Sequence, residues 1–226
     1  MNFTNLSIYL SAPRYNRYLN AVGNNNSRAK RLYNANIRLA QAFHPVISQF
    51  EVILRNAIDN SLTIYFTDPN WIINQKVGFM SDNSLRQSRY FLRESIVKTE
   101  RNLLRKGVPI TSGKLISDQN FGFWISFFVA HHYGLLSGSV LNIFPAKPPH
   151  ITRSNIYGKL DSLREFRNRV NHCEPLCFDG NAINCTHALE IVNTIYDLLQ
   201  WMNPTIIPFI NSLDNITSKI NQINNI

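Results

Sequence analysis

Apolar residues recur at three- and four-residue intervals along most of the chain, and no stretch shows the strict alternation and turn punctuation of a sheet. Ser11, with Pro13 in the first turn, predicts a short helix through Tyr18. Ser27 is a candidate cap for a long helix whose apolar set Ile47, Phe50, Leu54, Ala57, Ile58 and Leu62 keeps one face until Asp68-Pro69-Asn70 ends it. Pro45 lies inside that run and is expected to kink it, because its ring clashes with the preceding turn and it has no N–H to donate. A basic amphipathic helix is expected from about Ser84 to Lys106, closed by Gly107. Two apolar segments follow between Gly113 and Tyr133, interrupted at Gly122, and Pro145, Pro148 and Pro149 mark a loop. Helices are then expected over about Thr152 to His172 and Ile183 to Met202. Pro204 stops the second, and Ile206 to Ile223 forms a polar peripheral helix or frays. The fold class is all-α. The expected organisation is one domain over 1–226, with an N-terminal helical extension at 1–26 and a peripheral Asn-rich segment at 205–226.

Composition adjusts this picture modestly. Of 226 residues 44% are hydrophobic and only 16% charged, a globular balance rather than a disordered one. Asparagine is frequent, as in Asn24-Asn25-Asn26, which fits a compositional bias of the source genome. The 23 Lys and Arg outweigh 14 Asp and Glu to give +9, which favours a polyanionic partner such as nucleic acid. Aromatic-rich stretches at Tyr15 to Tyr18, Tyr65 to Trp71 and Phe121 to Phe128 are either core or stacking surfaces for bases. The start of the chain has no basic stretch followed by a clean apolar run. The longest apolar stretch, Phe121 to Ala130, is half the roughly 20 residues a membrane span needs. Three Cys read as reduced thiols, so a cytoplasmic location and no membrane partner are expected.

The chemistry concentrates in Leu163-Arg164-Glu165-Phe166-Arg167-Asn168-Arg169-Val170-Asn171-His172. At about 100° per residue, Ile156, Leu160, Leu163, Phe166 and Val170 form one stripe that must face a core. Arg167 sits at its edge, and Asn171, Arg164, Asn168 and His172 follow around the open side. Asn168 and His172 are four apart, so the amide is placed to bond the ring and set its tautomer. Such a cluster suits RNA cleavage. That reaction needs a base for the ribose 2′-OH, an acid for the departing 5′-oxygen and a cation for the charge on phosphorus. Imidazole serves the first two roles and the Arg fork the third. The same residues also serve as an ordinary helix end.

Arg167-Asn168, three residues and His172 resemble the R-N-x-x-x-H motif of HEPN ribonucleases. The surroundings resemble the Abi-like (AbiD/AbiF) family of bacterial phage-defence proteins. Leu10-Ser11-Ala12-Pro13-Arg14 with Tyr18, Glu51-Val52-Ile53-Leu54-Arg55-Asn56, Asn120-Phe121-Gly122-Phe123-Trp124 and His172-Cys173-Glu174-Pro175 are similar to that family's segments and keep its order over about residues 6–203. The resemblance implies a HEPN-like helical bundle that works as a two-fold dimer. It also implies a metal-independent endoribonuclease toxin, with no cofactor, held silent by an antitoxin protein or a structured non-coding RNA. It assigns catalysis to Arg167 and His172, with Asn168 beside them. Asn171-His172-Cys173 departs from the pattern, where a small residue commonly precedes the His and a second His often follows.

Other readings stay open at this level. Glu51, Arg55 and Asn56 form either a helix ion pair and its neighbour or a supporting set that orients a catalytic group, with Asn171 as a further support. Arg89 and Arg93 on the basic helix, with Arg164 and Arg169 on the motif helix, are candidate RNA contacts or a solvated face. Cys173, Cys177, Cys185 and His187 make C-x3-C-x7-C-x-H, ligand types that suit a structural zinc in a spacing that matches no usual zinc pattern. A non-catalytic RNA-binding or regulatory HEPN-like module is the alternative function.

Overall fold

A computed structural model describes residues 9–226, and the reading of the residues before Tyr9 lies outside the described residues. The chain is mostly helical: α1 is Ala12–Ala21, α2 Asn26–Phe66, α3 Trp71–Asn74, α4 Phe91–Arg105, α5 Ser112–Asp118, α6 Phe121–Ile125, α7 Ala130–Leu135, α8 Arg153–Asn171, α9 Thr186–Met202, α10 Ile207–Asn211 and α11 Ile216–Asn224. Between α8 and α9 lies a two-stranded antiparallel hairpin, β1 Phe178–Asp179 and β2 Ala182–Ile183. The periodicity gave no hint of it, because two residues per strand are too few to alternate.

The frequent asparagines find structural work at element ends. The Oδ1 atoms of Asn25, Asn120, Asn184 and Asn203 accept backbone N–H donors of Arg28, Phe123, Thr186 and Thr205 at 2.7–3.0 Å. Each meets a donor that a helix start leaves without a partner. Asn25, not Ser27, therefore starts α2, and Asn120 moves the break in the apolar stretch to Gln119-Asn120, leaving Gly122 inside α6. The basic helix is shorter than its periodicity suggests. Arg89 (φ 53°) and Tyr90 (φ 52°) both adopt left-handed backbone, and regular helix begins only at Phe91. Pro45 lies inside α2, which runs without interruption over 41 residues in all.

Residues group into two compact units. Of the described residues, the first comprises 9–49, 165–197 and 206–226. Its described core includes Tyr15, Tyr18, Leu32, Leu39, Phe43, Phe166, Cys177, Ile195 and Ile220. Phe43 and Phe166 meet with ring centroids 4.6 Å apart. Tyr18 packs edge-on against Tyr33 and Phe178 at 5.2 Å, so α1 belongs to this core instead of projecting from it. Ile216, Ile220 and Ile223 are also buried, so the C-terminal segment is docked rather than frayed.

The second unit comprises residues 50–164 and 198–205. An aromatic cluster of Trp71, Phe79, Phe123, Trp124 and Phe127 fills its core. The Trp71 Nε1–H donates to Asp59 at 2.8 Å. Among the described residues no helix is long and apolar enough to cross a membrane.

His132 is buried in the second unit with Nδ1 2.8 Å from the Ser126 carbonyl oxygen. A carbonyl only accepts, so Nδ1 carries the hydrogen. Nε2 is left buried without a protein partner. Burial holds the imidazole pKa down to about 4, against the opposing pull of the Ser126 carbonyl. The unfolded chain therefore binds a proton between pH 6.5 and 4 that the folded chain refuses. The stability contribution of neutral His132 is complete above about pH 6.5 and is lost as pH falls towards 4, a difference on the order of 3 kcal/mol. Urea midpoints measured across that range should fall with pH in the wild type, and His132→Leu should flatten the slope.

Candidate active site

The last turn of α8 carries the candidate chemistry. Phe166 and Val170 face the core of the first unit, which leaves Arg167 half-buried and Asn168, Asn171 and His172 exposed. The helix ends in a Schellman turn: Cys173 N–H donates to the Val170 carbonyl at 3.1 Å and Glu174 N–H to the Arg169 carbonyl at 2.9 Å. His172 is the capping residue, its N–H still donating to the Asn168 carbonyl at 2.9 Å. Asn168 and His172 are thus tied through the backbone. The expected bond from the amide side chain to the imidazole is not formed among the described residues, where both side chains stand in water that competes for them. Cys173 takes the left-handed position, φ 53°, where glycine is the usual occupant.

Two contacts hold the chain after His172 in place. Arg169 Nη2 donates to the Pro175 carbonyl at 2.5 Å, with the guanidinium 3.6 Å from Glu174. The Leu176 N–H donates at 2.7 Å to Oδ1 of Asn36 on α2, a buried side chain 140 positions away in sequence. The exposed imidazole therefore sits on a helix end that is anchored on both sides.

Beside this turn lies a cavity of about 610 Å³. Tyr33, Ile37, Ala40, Gln41, His44 and Pro45 of α2 form one wall, with Asn36 behind them. Val170, Asn171 and Cys173 form the other, so the residues on either side of His172 both line it. The sequence by itself does not single out this wall, because the core stripe Leu32, Leu39, Phe43 and Val46 dominates the periodicity of α2. Tyr33, Ile37, Ala40 and His44 repeat at a four-three-four spacing on the adjoining face, and that second stripe is the signal that marks it.

The other expected site residues are placed differently. The Arg164 side chain bonds Asp161 at 2.8 and 2.6 Å, and Arg93 is shared among Glu94, Ser81 and the face of the Tyr90 ring. Carboxylates beside these two, as beside Arg169, partly satisfy their charge locally. Arg89 is exposed, ahead of the helix it was expected to ride. Glu51 and Arg55 are half-buried on α2 in the second unit, where Arg55 Nε donates to exposed Asn56 at 3.4 Å.

The zinc reading does not survive the geometry: no three His, Cys, Asp or Glu among the described residues converge as metal ligands. Cys177 and Cys185 are buried thiols pushed up to about 12 and about 11 by desolvation, while Cys173 is exposed. His187 instead packs edge-on against Phe166 at 5.5 Å and lies 3.6 Å from Glu190.

Two substitutions test the anchored turn with opposite signs. Asn36→Leu leaves the Leu176 N–H buried without an acceptor and should cost about 1–3 kcal/mol in urea unfolding. Cys173→Gly relieves the left-handed strain and should be neutral or stabilising by up to about 1 kcal/mol. No family model, curated protein or solved structure matches this chain.

Proposed function

We propose that this protein is a metal-independent endoribonuclease of the Abi-like HEPN type, acting as a toxin in phage defence. The observation that supports this best is the exposed His172 on an anchored helix end, with Asn168 exposed and Arg167 half-buried in the same two turns. In the proposed reaction an imidazole takes the proton from the ribose 2′-oxygen as that oxygen attacks phosphorus. The phosphorus–O5′ bond breaks, a protonated imidazole returns a proton to the leaving O5′, and a 2′,3′-cyclic phosphate remains. Arg167 offers the cationic fork for the charge that builds on the non-bridging oxygens. The proposed setting is the cytoplasm, with an antitoxin protein or structured RNA as inhibitor. The +9 net charge agrees with an RNA substrate.

Purified protein should cleave single-stranded RNA in the presence of excess EDTA and leave 2′,3′-cyclic phosphate and 5′-OH ends. Arg167→Ala and His172→Ala, each still folded by circular dichroism, should lose about 10²–10⁴-fold in rate and the growth arrest seen on expression. Products with 3′-OH ends, or a folded His172→Ala as active as wild type, would overturn the assignment.

In-line cleavage uses a base and an acid on opposite sides of phosphorus, and one motif supplies one imidazole. A two-fold pairing of motifs would supply both. Wild-type chain mixed with excess His172→Ala under subunit exchange should then lose activity in a dominant-negative manner. Activity proportional to wild-type chain, from a particle of monomer mass, would exclude the pairing.

A further inference from the structure

Three hollows of the first unit adjoin one another through shared residues. The cavity of about 610 Å³ beside His172 shares Gln41 and Pro45 with a hollow of about 210 Å³ that Arg38 and Lys219 line. That hollow in turn shares Arg38 with a third of about 400 Å³, which Arg31, Asn34 and Gln222 line. No Asp or Glu is among the described lining residues of any of the three. The Ile226 carbonyl oxygen at the far hollow already accepts from Arg28 at 2.9 and 2.5 Å.

Chemical character changes along this line. Nearest the motif, Tyr33, Ile37, Ala40 and Val170 provide apolar and aromatic wall, while the amides of Gln41 and Asn171 and the ring of His44 provide donors and acceptors. Pro45 has no N–H to give to the Gln41 carbonyl four residues earlier, so a backbone acceptor is released where the first two hollows meet. Further along, the lining side chains are Arg, Lys, Asn and Gln. An apolar slot edged by amides suits an unstacked base, whereas spaced cations without Asp or Glu side chains among them suit phosphates. The volume of the first cavity falls within the range of small-molecule sites, roughly 300–1,000 Å³.

We infer that the face of α2 carrying Arg31, Arg38, Gln41 and His44 is a binding track for single-stranded RNA. The cavity beside His172 holds one base, and the Arg38–Lys219 and Arg31 hollows carry the neighbouring phosphates. This inference rests on the proposed RNA cleavage for its substrate class. It moves RNA recognition from Arg89 and Arg93, in the other unit, to residues of the motif's own unit. A duplex fits poorly, because its bases are stacked and paired and cannot enter the cavity.

The test uses the full chain with His172→Ala, so that RNA survives, and a short fluorescein-labelled single-stranded oligoribonucleotide read by anisotropy across a salt series. Arg38→Ala with Lys219→Ala should weaken binding about tenfold or more and lower the salt slope by about 1.4, roughly 0.7 for each phosphate of a single strand no longer neutralised. Arg101→Ala with Arg105→Ala, two exposed cations of α4 in the other unit, should change neither. In the chain with His172 intact, Ala40→Phe, which fills the cavity from a half-buried position, should change which bases flank the cut sites. Gln41→Glu, on an exposed side chain, should weaken binding without loss of fold.

Equal losses from the Arg38/Lys219 and Arg101/Arg105 pairs would overturn the track, as would unchanged binding and cut sites in a chain that still cleaves RNA. So would Ala40→Phe converting a dimer to a monomer with RNA binding intact, because a second copy would then occupy the cavity. A wild type that cleaves no RNA, yet loses oligonucleotide binding in the expected pattern, would remove the ribonuclease reading and leave the track standing.

Discussion

The hydrogen bond from the Leu176 N–H to the buried side chain of Asn36 is the constraint on which the candidate site depends. It joins the segment after the motif helix to the middle of α2 at 2.7 Å, out of reach of water. A buried amide donor without an acceptor costs about 1–3 kcal/mol, so alternative paths for this segment carry that penalty. Arg169 adds a second tie at Pro175, and Phe43 against Phe166 packs the apolar side of the same junction. These contacts fix the backbone of the Schellman turn that carries the exposed imidazole. The left-handed backbone of Cys173 is tolerated because these contacts over-determine it.

One consequence is a division of labour among cations that look alike in the sequence. On α8, Arg169 holds the turn after the helix and Arg164 is paired with Asp161. Arg38 and Lys219 are far apart in sequence and line one hollow. The cations suited to a polyanion are those without a carboxylate neighbour, and that property belongs to the surroundings rather than to the residue. Net charge counts all these cations alike and does not separate those held by a neighbouring carboxylate from the rest.

The periodicity of the core stripes is a sound guide wherever a helix buries one face. Ile156, Leu160, Leu163, Phe166 and Val170 are all buried, and α8 ends at Asn171, next to the expected His172. It misleads where local backbone geometry overrides periodicity. The two left-handed residues Arg89 and Tyr90 separate a stretch that reads as one amphipathic run. Pro45 lies within the uninterrupted helix α2, between the buried core residues Phe43, Val46 and Ile47. Four of the asparagines, which look like compositional noise, mark where elements start.

By itself the sequence determined the helical class, the face of each long helix that goes inward, and the side of α8 on which Arg167, Asn168 and His172 stand. These are consequences of local periodicity, in which each residue's direction follows from its neighbours along the chain. Only the tertiary structure decided that Asn36 caps a loop 140 residues away, that the cysteines and His187 do not converge, and that a second stripe of α2 walls a cavity beside His172. Those outcomes depend on which helix faces lie opposite one another. That choice is made by the summed burial of many side chains distant in sequence, and no spacing within a single segment encodes it.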